Sequence, residues 1–214
     1  MQTFLKRNNN GVIVFDPNEP EIDINKFPRE YWSATSYGEC KEEIPSNSPE
    51  PRGIAFTMRA FVDSDHAGDM VTRQSRTGFL IFLNNVPIYW FSKKQGSCDT
   101  SSFGSEFIAM KSCCEYVRGL RYKLWMLGIT VELTTYIFGY NQSVLVNSSN
   151  PQSSLNKKSS SIAFHFVREC AAKDEWKVAY LNTNYNTADM VTKLLDGSEK
   201  RSCFISYLLH YVYD

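Results

Sequence analysis

Ala109, Cys113, Val117, Leu120, Leu124 and Leu127 recur at spacings of 4, 4, 3, 4 and 3. That is one apolar face of a long α-helix. Thr100, Ser101 and Ser102 offer N-cap oxygens before it, and Gly128 offers a C-terminal stop. A helix of this kind is stable only when another layer covers its stripe. The segments around it can supply that layer. Met58 to Asp63, Thr77 to Leu83 and Val86 to Ser92 read as strands, with Asn84-Asn85 suited to the positive φ of a hairpin turn. After the helix, Thr134 to Phe138 reads as a fourth strand flowing into Asn141 to Asn147, and the serine-rich stretch from Ser148 to Ser161 as a loop. Ile162 to Ala172 reads as a helix, Lys177 to Leu181 as a fifth strand, Thr187 to Leu195 as the start of another helix, and Ser202 to Tyr213 as a last helix. Strands followed by alternating helices and strands imply an α/β fold, a mixed sheet with helices packed on it.

Proline divides the chain. Six of the eight prolines precede residue 52, three of them in CKEEIPSNSPEPRG (40–53), which reads as an extended linker. Residues 1–56 hold 6 Lys/Arg and 9 Asp/Glu and show little core material beyond a short strand in GVIVF (11–15). We therefore expect an extended segment over 1–56 and one folded domain over 57–214. Residues 70–168 hold 11 bases and 4 acids, an excess that suits a polyanionic partner. The six cysteines form no C-x-x-C pair, which argues against a zinc site or disulfide framework. No apolar run is long enough to span a membrane, and MQTFLKRNNN has no apolar stretch of a secretory leader. A cytoplasmic or nuclear chain with no membrane association is expected. There is no G-x-S-x-G elbow and no phosphate-binding G-x-x-x-x-G-K-[ST] loop.

The acids carry the chemical argument. Asp63 and Asp65 end the first strand two residues apart, so both address one face. Carboxylates placed so repel each other unless a cation lies between them, and Mg²⁺ prefers such oxygens. Asp65 also fits a turn after the strand, and Asp69 lies just beyond. Glu106 stands three residues before Ala109, on the apolar stripe, where a carboxylate needs a cationic partner. Asp189 opens a helix, a position the helix dipole favours in its own right.

Taken in order, FVDSDHAGD (61–69), TRQSRTGFLIFLNNVPIYWFSKKQ (72–95), SSFGSEFIAM (101–110), YIFGYNQSVL (136–145), HFVRE (165–169) and TADMVTK (187–193) resemble the ribonuclease H domain of copia-type retrotransposon polyproteins. GVIVFDP (11–17) is similar to the connection that follows the reverse transcriptase in such polyproteins. The resemblance implies a ribonuclease H-like fold, a five-stranded mixed sheet with helices on both faces. It also implies two-metal hydrolysis of the RNA strand in RNA–DNA hybrids, with carboxylates holding Mg²⁺ or Mn²⁺, and an upstream polymerase domain as polyprotein neighbour. Asp63, Glu106 and Asp189 match three of the four family acids. Gly104 stands at the first acid position of the helix motif.

The fourth acid is missing. Where the family pattern reads Asp-Asn-x-Ser, this chain reads Tyr140-Asn141-Gln142-Ser143. A phenol, with a reference pKa of about 10, is neutral at pH 7 and a poor Mg²⁺ ligand. Weakened metal binding and impaired cleavage are therefore expected. Two alternatives are an active Mg²⁺-dependent nuclease in which Asp65 or a water replaces the lost ligand, and a non-catalytic nucleic-acid-binding module. His165 resembles a residue the family keeps, with two readings, a place near the scissile phosphate or a surface or capping histidine. Lys93, Lys94, Arg118, Arg121 and Lys123 are candidates for tracking phosphates or for a solvated helix face.

Overall fold

The computed structural model describes residues 11–211 apart from 17, 28, 29, 39, 132, 133, 155–160 and 196–198. Strands β2 (Met58–Asp65), β3 (Arg76–Leu83) and β4 (Val86–Lys94) form an antiparallel meander. β5 (Thr135–Gly139) and β6 (Trp176–Tyr180) run parallel to β2, giving the order β4-β3-β2-β5-β6. A separate ribbon pairs β1 (Gly11–Val12) antiparallel with β7 (His210–Tyr211). The helices are α1 (Ser102–Met126), α2 (Gln142–Ser149), α3 (Ser161–Ala172), the single turn α4 (Asp189–Thr192) and α5 (Glu199–Leu208).

The meander follows from its sequence. β2 is buried on both faces, as a central strand should be, and its Arg59 is accommodated there by donating to the Asn84 carbonyl at 2.9 Å. At the β3–β4 turn Asn84 takes φ 49°, a value asparagine tolerates. Its side-chain oxygen accepts the Thr57 N–H at 2.9 Å, tying the turn to the start of β2. The α1 stripe covers one sheet face: Phe107, Met110, Cys113 and Val117 meet Met58, Ala60, Val62, Phe79 and Ile137. The stripe ends earlier than its spacing suggests. Leu127 is 71% exposed, and the buried positions near that end are Leu124 and Arg121, the latter's guanidinium held by Glu42 and Thr135. Ser101 caps α1 by accepting the Gly104 N–H at 3.3 Å, and Gly128 follows it at φ 71°.

The opposite face buries Phe61, Leu80 and Phe82 under Ala188, with Val191 and Leu208 alongside. The approach depends on Gly78, which lies opposite Asp63 in the β2–β3 register. A Cβ there would stand 2.4 Å from Thr192 Cγ2 and 2.8 Å from Val191 Cγ2. Only a bare backbone lets α4 lie this close to the sheet.

Three expectations require correction. The stretch after β5 is not continuing strand but helix α2, started by Asn141, whose side chain accepts the Val144 N–H at 3.2 Å. The last helix begins earlier and stops at Leu208, after which the chain turns back to pair as β7. Residues 11–56 are mostly irregular, as an extended segment should be, but they are not short of core. Phe27 and Trp32 are buried. Phe27 packs edge-on against Tyr136 and Phe138, with ring centroids 4.7 and 5.4 Å away. The Arg168 guanidinium lies over the Trp32 ring at 5.0 Å.

Candidate active site

Three elements bring one acid each to the C-terminal end of β2. Asp63 projects from β2 to the face covered by α4, where Thr192 donates its hydroxyl to Oδ2. Asp189 opens α4 and accepts the Thr183 hydroxyl at 2.9 Å. Glu106 arrives on the first turns of α1, from the other face, and accepts the Ser64 backbone N–H at the strand end. The carboxyls interact across these elements. Burial, then the Asp63 charge, pushes Glu106 up to about 8. Burial, then the Asp189 charge, raises Asp63. Burial also pushes on Asp189, but hydrogen bonds from Lys193 and Lys200 outweigh it and hold that carboxyl below its usual range.

Two ammonium groups stand among these acids. Lys193 Nζ lies 2.8 Å from Asp189 Oδ1, 3.1 Å from Asp63 Oδ2 and 3.4 Å from Asp63 Oδ1. Lys200 Nζ bonds Asp189 Oδ2. Asp63 and Asp189 are almost fully buried, so their charges require such partners. Among the described residues, no group of three His, Cys, Asp or Glu side chains is arranged to hold a metal ion. The chemistry of the donor set still suits one: hard carboxylate oxygens crowd each other, and a cation already bridges two of them.

The remaining candidates lie apart from this cluster. Asp65 turns towards the Gly68 loop, where a Cβ would stand 1.8 Å from its Oδ2. Asp69 organises the same loop, accepting the Val71 and Thr72 N–H groups at 3.0 and 2.8 Å and pairing with Lys94. Tyr140 follows the end of β5, half exposed, with its ring 5.8 Å from that of Tyr180. Gly104 abuts the Asp99 carboxyl, which a Cβ would approach to 2.0 Å. His165 bonds Tyr37 of the N-terminal segment, with Nδ1 and the hydroxyl 2.6 Å apart. Of the candidate phosphate-tracking bases, Arg118 pairs with Glu175 and Arg121 is buried against Glu42. Lys94, paired with Asp69, lines an open groove of about 550 Å³ with Arg76, Lys193, Thr192 and the Asp65–Met70 loop.

Sequence reasoning missed Lys193 and Lys200. The spacing of Asp189 and Lys193, four apart, carries a helical pairing signal. Nothing local points to the Asp63–Lys193 pair, 130 positions apart in sequence.

No protein-family model matches the chain. It is 29% identical over 146 residues to the retrovirus-related Pol polyprotein from transposon TNT 1-94 of Nicotiana tabacum, covering 68% of this chain and 11% of that protein. It is 28% identical over 144 residues to the corresponding polyprotein from transposon RE1 of Arabidopsis thaliana, covering 67% and 10%. The chain thus spans about a tenth of the length of these curated relatives. Among solved structures, LC11 ribonuclease H1 in complex with an RNA/DNA hybrid superposes with a TM-score of 0.51 at 12% identity, covering 64% of this chain and 94% of that one. The chain is accordingly a relative of retrovirus-related transposon Pol polyproteins and carries a ribonuclease H-like fold.

Proposed function

We propose that this is a ribonuclease H-type domain whose site is built to hydrolyse the RNA strand of RNA–DNA hybrids, and that Tyr140 impairs it. The observation that carries the reading is the meeting of Asp63, Glu106 and Asp189, delivered by β2, α1 and α4. These three would hold Mg²⁺ or Mn²⁺, which when bound supplies an activated water and charge stabilisation at the leaving oxygen. The chain's own groups do the rest. Thr192 and Thr183 fix the orientations of Asp63 and Asp189. The Ser64 N–H holds Glu106 at the strand end. Arg76 and Lys94 in the neighbouring groove offer cations to a phosphate backbone. Residues 57–214 carry this unit, and the preceding segment braces it.

Tyr140 supplies no carboxylate where the family motif has one, so metal binding is weakened. Losing one electrostatic stabiliser of a transition state commonly costs on the order of 100-fold in rate. The test is cleavage of a labelled RNA–DNA hybrid in Mg²⁺ or Mn²⁺ by this chain, Tyr140→Asp, and Tyr140→Asp combined with Asp63→Asn. Slow cleavage, accelerated by Tyr140→Asp and abolished by Asp63→Asn, is expected. Equal rates for the parent and Tyr140→Asp at the same Mg²⁺ concentration would refute the impairment.

A further inference from the structure

The site holds cations of its own, and their placement bears on how a metal enters. Lys193 Nζ contacts both oxygens of Asp63 and one of Asp189, and Lys200 takes the other Asp189 oxygen. Thr192 and Thr183 donate to the same carboxylates. Every Asp63 and Asp189 oxygen therefore already has a donor. Lys193 reaches in from the open side: it lines the groove beside the site, and its side chain is 36% exposed. Lys200 comes from α5, its ammonium also 5.5 Å from the Phe204 ring centre.

We propose that Lys193 and Lys200 are resident counter-ions standing on the oxygens a divalent cation would take, so that metal enters this site only by displacing them. This rests on the reading of Asp63, Glu106 and Asp189 as metal-holding acids. Without metal the lysines hold together a cluster that would otherwise repel itself. With metal they swing into the groove, where a phosphate backbone is a suitable partner. They are positioning residues: their effect passes through Asp63 and Asp189.

The test measures Mn²⁺ binding to the full chain by the paramagnetic resonance signal of free Mn²⁺, and thermal melting in chelator and in saturating Mn²⁺. An opposite charge within about 4–6 Å of a carboxylate is commonly worth a factor of ten or more. Lys193→Met should therefore bind Mn²⁺ about tenfold more tightly than the parent, melt lower in chelator, and recover in Mn²⁺. Lys193→Arg should bind as the parent does. Lys200→Met, which leaves Lys193 in place, should shift both readouts the same way by less, and provides the measurement if Lys193→Met does not fold in chelator. Asp63→Asn separates the two levels of the argument. If it abolishes binding while Lys193→Met binds no more tightly than the parent, the counter-ion role is overturned and the site reading stands. If binding is undetectable in every variant, or indifferent to Asp63→Asn, the site reading fails and the counter-ion role with it.

Discussion

Gly78→Ala adds one methyl at the point where the sheet and α4 touch. Its carbon would stand 2.4 Å from Thr192 Cγ2, 2.8 Å from Val191 Cγ2 and 3.3 Å from the Val191 backbone. Ordinary carbon contacts lie at about 3.5–4.0 Å, so α4 must retreat by roughly 1 Å. The two closest methyls belong to β-branched side chains with stiff χ1, and the Val191 backbone at 3.3 Å leaves little room behind them, so side-chain rotation relieves the clash only in part. The retreat draws the Thr192 hydroxyl from Asp63 and shifts Asp189 and Lys193 with it. Overpacking of this kind costs about 1–3 kcal/mol. At about 2–4 °C per kcal/mol for a chain of this size, the melting temperature should fall by roughly 2–12 °C. Gly119→Ala is the control. It lies inside α1, and a Cβ there meets nothing within 4 Å. Alanine should stabilise that helix by up to about 1 kcal/mol. Calorimetric melts of the three chains decide the matter. A Gly78→Ala chain that melts at or above the parent would show that α4 is not pressed on β3 as described.

Phe27→Ala removes a buried ring wedged against Tyr136 and Phe138. The expected cost is about 3 kcal/mol, or roughly 6–12 °C in melting temperature, and an unchanged melt would show that the N-terminal segment does not brace the domain. Glu106 gives a pH signature. Its folded pKa of about 8 lies above the ordinary glutamate value of 4.5, so the folded state binds the extra proton between those values. Stability from this group is therefore full below about pH 4.5 and is lost as pH rises towards 8. The raised Asp63 acts in the same direction, whereas Asp189, held low, contributes stability that is lost only on acidification below its ordinary range. In metal-free buffer, Glu106→Gln should flatten the decline in melting temperature between pH 5 and 8, and a slope equal to the parent's would refute the assignment.

The β2–β4 meander and α1 were legible because each is written locally. Apolar runs and turn asparagines mark the hairpin, the 4-4-3-4-3 spacing marks the helix, and the motif resemblance singles out Asp63, Glu106 and Asp189. What escaped depends on partners far away in sequence. Phe27 and Trp32 sit among prolines and charges with no periodicity, and only Tyr136, Phe138 and Arg168 give them a reason to be buried. Helix α2 is short, and its QSVLVNSS run suits strand as well as helix. The deciding signal is Asn141 as N-cap, a residue that equally fits the Asn of the motif it resembles. The burial of Arg121 turns on Glu42, which reaches α1 from 79 positions away.

The ribbon of β1 and β7 has a mechanical consequence. Gly11 is level with Tyr211, and Val12 with His210, so both ends of the described chain leave from the same side of two paired dipeptides. Tension applied between the ends pulls such a ribbon open as a zipper, loading its hydrogen bonds singly. The five-stranded sheet has its interior strands flanked on both sides and is spared that geometry. In an optical trap a small first extension at low force should precede rupture of the sheet. A single rupture with no early step would show that the ribbon and sheet yield together.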